Sequence, residues 1–103
     1  MILVQINFDF PVEMMGDALT QGAKELAQSI NQKPGFIAKL WIENSDTAES
    51  GGIYLFEDQD SAQHYVEMHT KRVEAMGATN TNVKYFNVNE PLSAINHFKR
   101  PLF

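Results

Sequence analysis

The first ten residues, MILVQINFDF, alternate without a break. Ile2, Val4, Ile6, Phe8 and Phe10 point one way; Leu3, Gln5, Asn7 and Asp9 point the other. A period of two is the signature of a strand with one buried face. Such a strand must belong to a sheet, and its apolar row must be covered by another layer. Pro11 has no N–H to give to a ladder and ends the strand. Gln5, Asn7 and Asp9 interrupt the apolar run, no basic segment precedes it and no cleavage pattern follows. It therefore reads as a strand, not a signal peptide, and a cytoplasmic setting is expected.

The pattern then changes to a helical one. In GDALTQGAKELAQSIN, residues Leu19, Ala23, Leu26, Ala27 and Ile30 fall on one stripe. Gly22 weakens it locally, and Lys33 to Gly35 stops it. FIAKLWIEN, residues 36–44, reads as a second strand. The polar stretch 45–52 reads as a loop, with Gly51 and Gly52 as a turn. Residues 52–57, GIYLFE, read as a third strand. Asp58 or Asp60 can cap a second helix that runs to about Met76. Its buried face would carry Ala62, Tyr65, Val66, His69, Val73 and Met76. Residues 82–90 read as a fourth strand. Pro91 opens a short helix to about His97.

The order strand, helix, strand, strand, helix, strand predicts an α+β fold. A ferredoxin-like βαββαβ subunit satisfies it, with a four-stranded antiparallel sheet and two helices on one face. With 103 residues there is room for one hydrophobic core, so 1–103 is expected to be a single domain. Thirteen acidic against eight basic residues give a net charge of -5, which argues against nucleic-acid binding. Nothing suggests a membrane span. The absence of cysteine excludes a disulfide framework and thiolate chemistry. His64 and His69 are five apart and do not share a helix face as a metal-ligating pair would, so no metal is expected.

In FIAKLWIEN, the row Phe36, Ala38, Leu40 and Ile42 is the apolar one and is assigned to the helices. The helix-free face then carries Leu3, Gln5, Asn7, Ile37, Lys39, Trp41, Tyr85, Asn87 and either Ile53 or Tyr54. That set is too aromatic for open water and too polar for a closed core. It suits a cavity wall. One sheet cannot enclose a cavity, so a homodimer with two sheets face to face is predicted, a dimeric α+β barrel.

Three stretches, LAQSINQKPGF, GGIYLFED and NVNEPLSAIN, resemble the YdhR family of putative mono-oxygenases, a member of the dimeric α+β barrel group. The likeness runs from VQINFDF to PLSAIN. It implies a ferredoxin-like subunit, a face-to-face homodimer, and an oxygenase that uses molecular oxygen on a small aromatic or quinol-type compound without metal, flavin or haem. Such chemistry needs a flat aromatic slot, donors for a phenolate and a proton acceptor. Trp41, Tyr54 and Tyr85 would supply the slot; Gln5, Asn7 and Asn87 would supply donors. His69 would accept the proton, since an unperturbed imidazole titrates near neutrality. Each has a structural rival. His69 sits on an apolar stripe, where a histidine is more often a core residue bonded to a backbone carbonyl. Trp41 suits a dimer seam. Tyr54 and Tyr85 suit cross-strand pairs, and Asn7 a hydrogen bond across the dimer.

Haem-degrading relatives in the same barrel group use an asparagine on the first strand, a tryptophan at the end of the third and a histidine on the second helix. Asn7 matches the first. Phe56 stands in place of the tryptophan, and ten residues on, the relatives' spacing, this chain has Val66. The departure speaks against haem chemistry. Two other functions remain open on the same barrel: a binding or sensing protein without turnover, and an isomerase.

Overall fold

The computed structural model describes residues 1–100. Four strands, β1 (Ile2–Asp9), β2 (Phe36–Asn44), β3 (Glu49–Phe56) and β4 (Thr79–Asn87), form one antiparallel sheet in the order β2-β3-β1-β4. Helices α1 (Asp17–Gly22), α2 (Lys24–Ile30) and α3 (Gln59–Ala75) cross between strands, and α4 (Glu90–Ile95) closes the chain. This is the ferredoxin-like α+β arrangement that the element order predicts.

Local chemistry sets the ends of α3. The Asp58 carboxylate accepts the Ser61 N–H at 2.8 Å, and Gly77 beyond the last turn takes φ +107°. The buried residues of α3 are Ala62, Tyr65, Val66, His69 and Val73, as the stripe predicts. Met76 is the exception, 43% exposed. The helix expected over residues 16–31 is broken at Ala23 (φ −108°, ψ 10°), next to Gly22, where helix propensity is lowest. At the start of α4, the Asn89 side chain accepts the Leu92 N–H at 3.1 Å.

The main core lies between the sheet and these helices. Ile2, Val4, Ile6, Tyr54 and Phe56 from the sheet meet Ile30, Ala62, Tyr65 and Val66. A smaller cluster joins Phe8 and Phe10 to Val73 and Ala78.

The phase of β2 corrects the sequence reading. Phe36 pairs with Phe56, yet Ala38 pairs with Leu55, so two residues of β2 oppose one of β3. This bulge turns both Phe36 and Ile37 toward the helices. Past it, Lys39 pairs with Tyr54 and Trp41 with Gly52, so Ile37, Lys39 and Trp41 face the helices. Ala38, Leu40 and Ile42 take the opposite face. Tyr85 and Asn87 also lie opposite their expected side, because they pair with Val4 and Ile2 of the buried row. Tyr54 is in the core, 1% exposed. Gln5 and Asn7 do lie on the second face, beside Leu3, Ile53 and Leu55.

Gly51 and Gly52 are likewise mid-strand and not a turn. A Cβ on Gly51 would stand 2.0 Å from the Ile6 carbonyl oxygen. One on Gly52 would stand 2.8 Å from both Lys39 Cε and Tyr54 Cε1. Missing side chains here let β1 approach β3, and let the Lys39 stem lie over the sheet.

Candidate functional site

Beside the Lys39 stem, a small cavity of about 30 Å³ lies between the sheet and the helices, with Gly51 in its wall. Phe8, Ser50, Tyr54, Lys39 and Trp41 line it from the sheet; Leu19 and Leu26 line it from α1 and α2; His69 and Val73 line it from α3. A space of that size holds about one water. Leu19 and Trp41 also wall an adjoining outer lobe of about 390 Å³, together with Thr20, Ala23, Lys24, Ala27 and Glu43. The outer lobe has the dimensions of a small-molecule site. The Gly16 N–H donates to the Glu43 carboxylate at 3.2 Å and ties the start of α1 to the end of β2.

At the inner end, buried polar groups form a chain. The guanidinium Nη2 of Arg72 lies 3.1 Å from His69 Nδ1, and His69 Nε2 lies 2.9 Å from the Tyr54 hydroxyl. Arginine stays protonated, so it donates and Nδ1 accepts. The ring proton therefore sits on Nε2 and is donated to Tyr54. That leaves the Tyr54 O–H free to donate elsewhere. Tyr65 stacks on His69 with centroids 5.0 Å apart, and its hydroxyl, within reach of Tyr54 and Arg72, makes no well-formed hydrogen bond. The Lys39 ammonium stands 3.3 Å from the centroid of Trp41 and 4.6 Å from that of Tyr54. These aromatic faces favour its charged form.

Burial acts on every titratable member of this chain. It drives Lys39 down to about 7, with Arg72 adding to the effect. It drives His69 down to about 3, helped by the positive charges of Lys39 and Arg72. It pushes the phenols of Tyr54 and Tyr65 up, so both remain protonated donors. Near neutral pH, then, His69 is neutral with both nitrogens engaged, and Lys39 is the cavity group poised to gain or lose a proton.

The structure brings together three of the residues chosen from sequence: His69, Trp41 and Tyr54. Gln5 and Asn7 are separated from them by the sheet, and Asn7 donates instead to Glu49 at 3.4 Å. Tyr85 and Asn87 stand on exposed β4, outside the cavity lining. Sequence reasoning put Lys39 on the cavity wall without giving it a chemical role, and it missed Arg72. Lys39 carried a readable signal, its place two residues before a tryptophan on a strand flanked by apolar segments. Arg72 carried one too, lying three residues after His69 on the same helix, within side-chain reach.

Among the described residues, no three histidine, aspartate or glutamate side chains converge to hold a metal ion. No helix among them is long and apolar enough to cross a membrane.

Comparison with solved structures places the fold among known ones. A protein of unknown function from Nitrosomonas europaea, NE2512, superimposes with TM-score 0.64 at 12% identity, over 85% of this chain and 88% of that one. The heme-degrader MhuD from Mycobacterium tuberculosis, solved with two hemes in its active site, superimposes with TM-score 0.60 at 19% identity, over 84% and 95%. At such identities the likeness is one of fold alone. Among curated proteins none matches in sequence. The family profile described as putative mono-oxygenase ydhR matches residues 3–99, nearly the whole chain, and the protein belongs to that family.

Proposed function

We propose that the protein is a mono-oxygenase that takes a small aromatic or quinol-type compound into the helix-side cavity, without metal, flavin or haem. The carrying observation is the juxtaposition of a flat aromatic wall, Trp41, with Lys39 and the Tyr54 hydroxyl at the inner end. A substrate ring would lie in the outer lobe against Trp41, with its hydroxyl toward Lys39 and Tyr54. The neutral Lys39 amine accepts the phenolic proton. Tyr54 donates to the resulting phenolate, and Arg72 lends its field through His69. An electron-rich phenolate can reduce dioxygen itself. With a hydroquinone, one oxygen atom ends on a ring carbon and the other leaves as water, giving a hydroxyquinone. The substrate supplies all the electrons.

Haem, the ligand named for the mycobacterial protein, does not fit this cavity. The inner part is about 30 Å³, and His69 has both ring nitrogens committed to Arg72 and Tyr54, so neither is free for iron. No step is assigned to it.

A homodimer is part of the same reading. The second face exposes Leu40 (68%) and Phe86 (50%), and carries a groove of about 520 Å³ lined by Leu3, Ala38, Leu40, Ile53 and Leu55. An apolar sheet face of this kind supports packing against its own copy. A cytoplasmic setting is proposed with it.

Oxygen uptake with hydroquinones and anthrone-type phenols tests the activity. Uptake with one product-bound oxygen atom from labelled dioxygen is expected, and Lys39→Met should cut kcat at least about tenfold, in line with loss of a proton acceptor. Folded protein inert toward the whole panel would end the oxygenase reading. Retention of an unaltered ligand in air would favour binding without turnover.

A further inference from the structure

Lys39 and Arg72 reach the same buried pair, Tyr54 and His69, and neither has a carboxylate partner among the described residues. The ion pairs found there lie elsewhere, between the N-terminus and Glu90 and between Arg100 and Glu57. Like charges gathered beneath a surface repel, and each depresses the proton affinity of its neighbours. Here both cations lower His69, and Arg72 lowers Lys39. The hydrogen-bond inventory is lopsided in the same sense. Arg72 Nε and the Tyr65 hydroxyl are buried without a well-formed hydrogen bond, and the acceptor that Tyr54 and Arg72 have within reach, the Tyr65 hydroxyl, is neutral. Buried donors and cations without acceptors are costly, and proteins seldom leave them so. What would complete the cluster is an acceptor that carries negative charge.

We infer that the natural ligand of this cavity is an aromatic anion, with a carboxylate or acidic phenolic oxygen that lodges at the inner end against Lys39, Tyr54 and the field of Arg72. The ring of such a ligand fits the outer lobe beside Trp41. The protein's overall charge of -5 makes the point sharper, since a net negative surface repels anions and only a dedicated cationic pocket would select one.

The inference rests on the helix-side cavity being the ligand site, and its test uses binding, not turnover. Calorimetric titration of the wild-type protein at neutral pH would compare 3-hydroxybenzoate with 3-hydroxybenzamide, and the matching hydroxynaphthoate with its amide. Each acid should bind at least about tenfold more tightly than its amide, as expected when a buried cation gains a charged partner. Arg72→Gln and Lys39→Met should each erase most of that preference. Equal affinities, tighter amides or no binding of any probe would overturn the inference, and these wild-type comparisons stand even if the variants do not fold. Acids bound tightly but never oxygenated would uphold it while the oxygenase reading fell. Oxygen uptake on neutral quinols with no preference for anions would do the reverse.

Discussion

His69 and Lys39 couple proton binding to folding, and the sign is the same for both. The folded His69 titrates at about 3, against 6.5 for a free imidazole. As pH falls below about 6.5 the unfolded chain takes up a proton that the folded one refuses, so stability is lost steadily down to about 3. Folded Lys39 titrates at about 7, against 10.5 for a free amine. Between those values the unfolded chain holds the proton and the folded chain does not, so stability rises with pH across the window. The urea midpoint should therefore climb from about pH 4 to 6.5 and again from about pH 7.5 to 9.5. His69→Gln should flatten chiefly the lower climb and Lys39→Met the upper. An upper climb untouched by Lys39→Met would show that the amine is solvated. His69 was legible in the sequence because a helical stripe announces burial. Lys39 and Arg72 were harder to read, because a lysine or arginine ordinarily keeps its charge in solvent. Their long stems carry the charge under the surface.

At the scale of elements, periodicity located all four strands, though β3 and β4 begin at Glu49 and Thr79, earlier than expected, and one expected helix is split into α1 and α2; it also misassigned the faces of β2. Alternation fixes which residues share a face, but not which face is covered. Ile37, Lys39, Trp41 and Glu43 looked like the wetter row. The bulge at Phe36 and Ile37 and the pairing of Lys39 with Tyr54 put that row under the helices. Gly51 and Gly52 misled for a related reason: in sequence they punctuate, whereas here they are smallness required by a close strand approach and by Lys39. The bulge also makes a quantitative prediction. Ile37 is 2% exposed and packs under α2, so Ile37→Ala should leave a cavity and cost about 2–5 kcal/mol in chemical unfolding. A cost near zero would mean that the row led by Ile37 lies in solvent and that the cavity is wrongly placed.

At the scale of the whole molecule, two features that the sequence reading had merged on one surface are apart: a cavity and an apolar sheet face. A mixed aromatic and polar face had suggested a chamber between two subunits. In the structure Lys39, Trp41 and Tyr54 lie under the helices, while Gln5 and Asn7 stay on a second face that is otherwise apolar, with Leu3, Leu40, Ile53, Leu55 and Phe86. Such a face is suited to adhesion and not to catalysis. A cavity closed by α1, α2, α3 and the sheet of one chain needs no residue from a partner. Dimerisation and ligand binding should therefore be separable. Leu40→Asp, which puts a charge where the second face would meet its copy, should convert a micromolar dimer to monomer in sedimentation velocity. It should leave anion binding within about threefold of wild type, because Leu40 and Lys39 point to opposite sides of the same strand. Loss of both together would place the binding site between subunits after all. A wild-type chain that sediments as a monomer would leave the apolar second face without its proposed partner, while the helix-side cavity would remain intact in each chain.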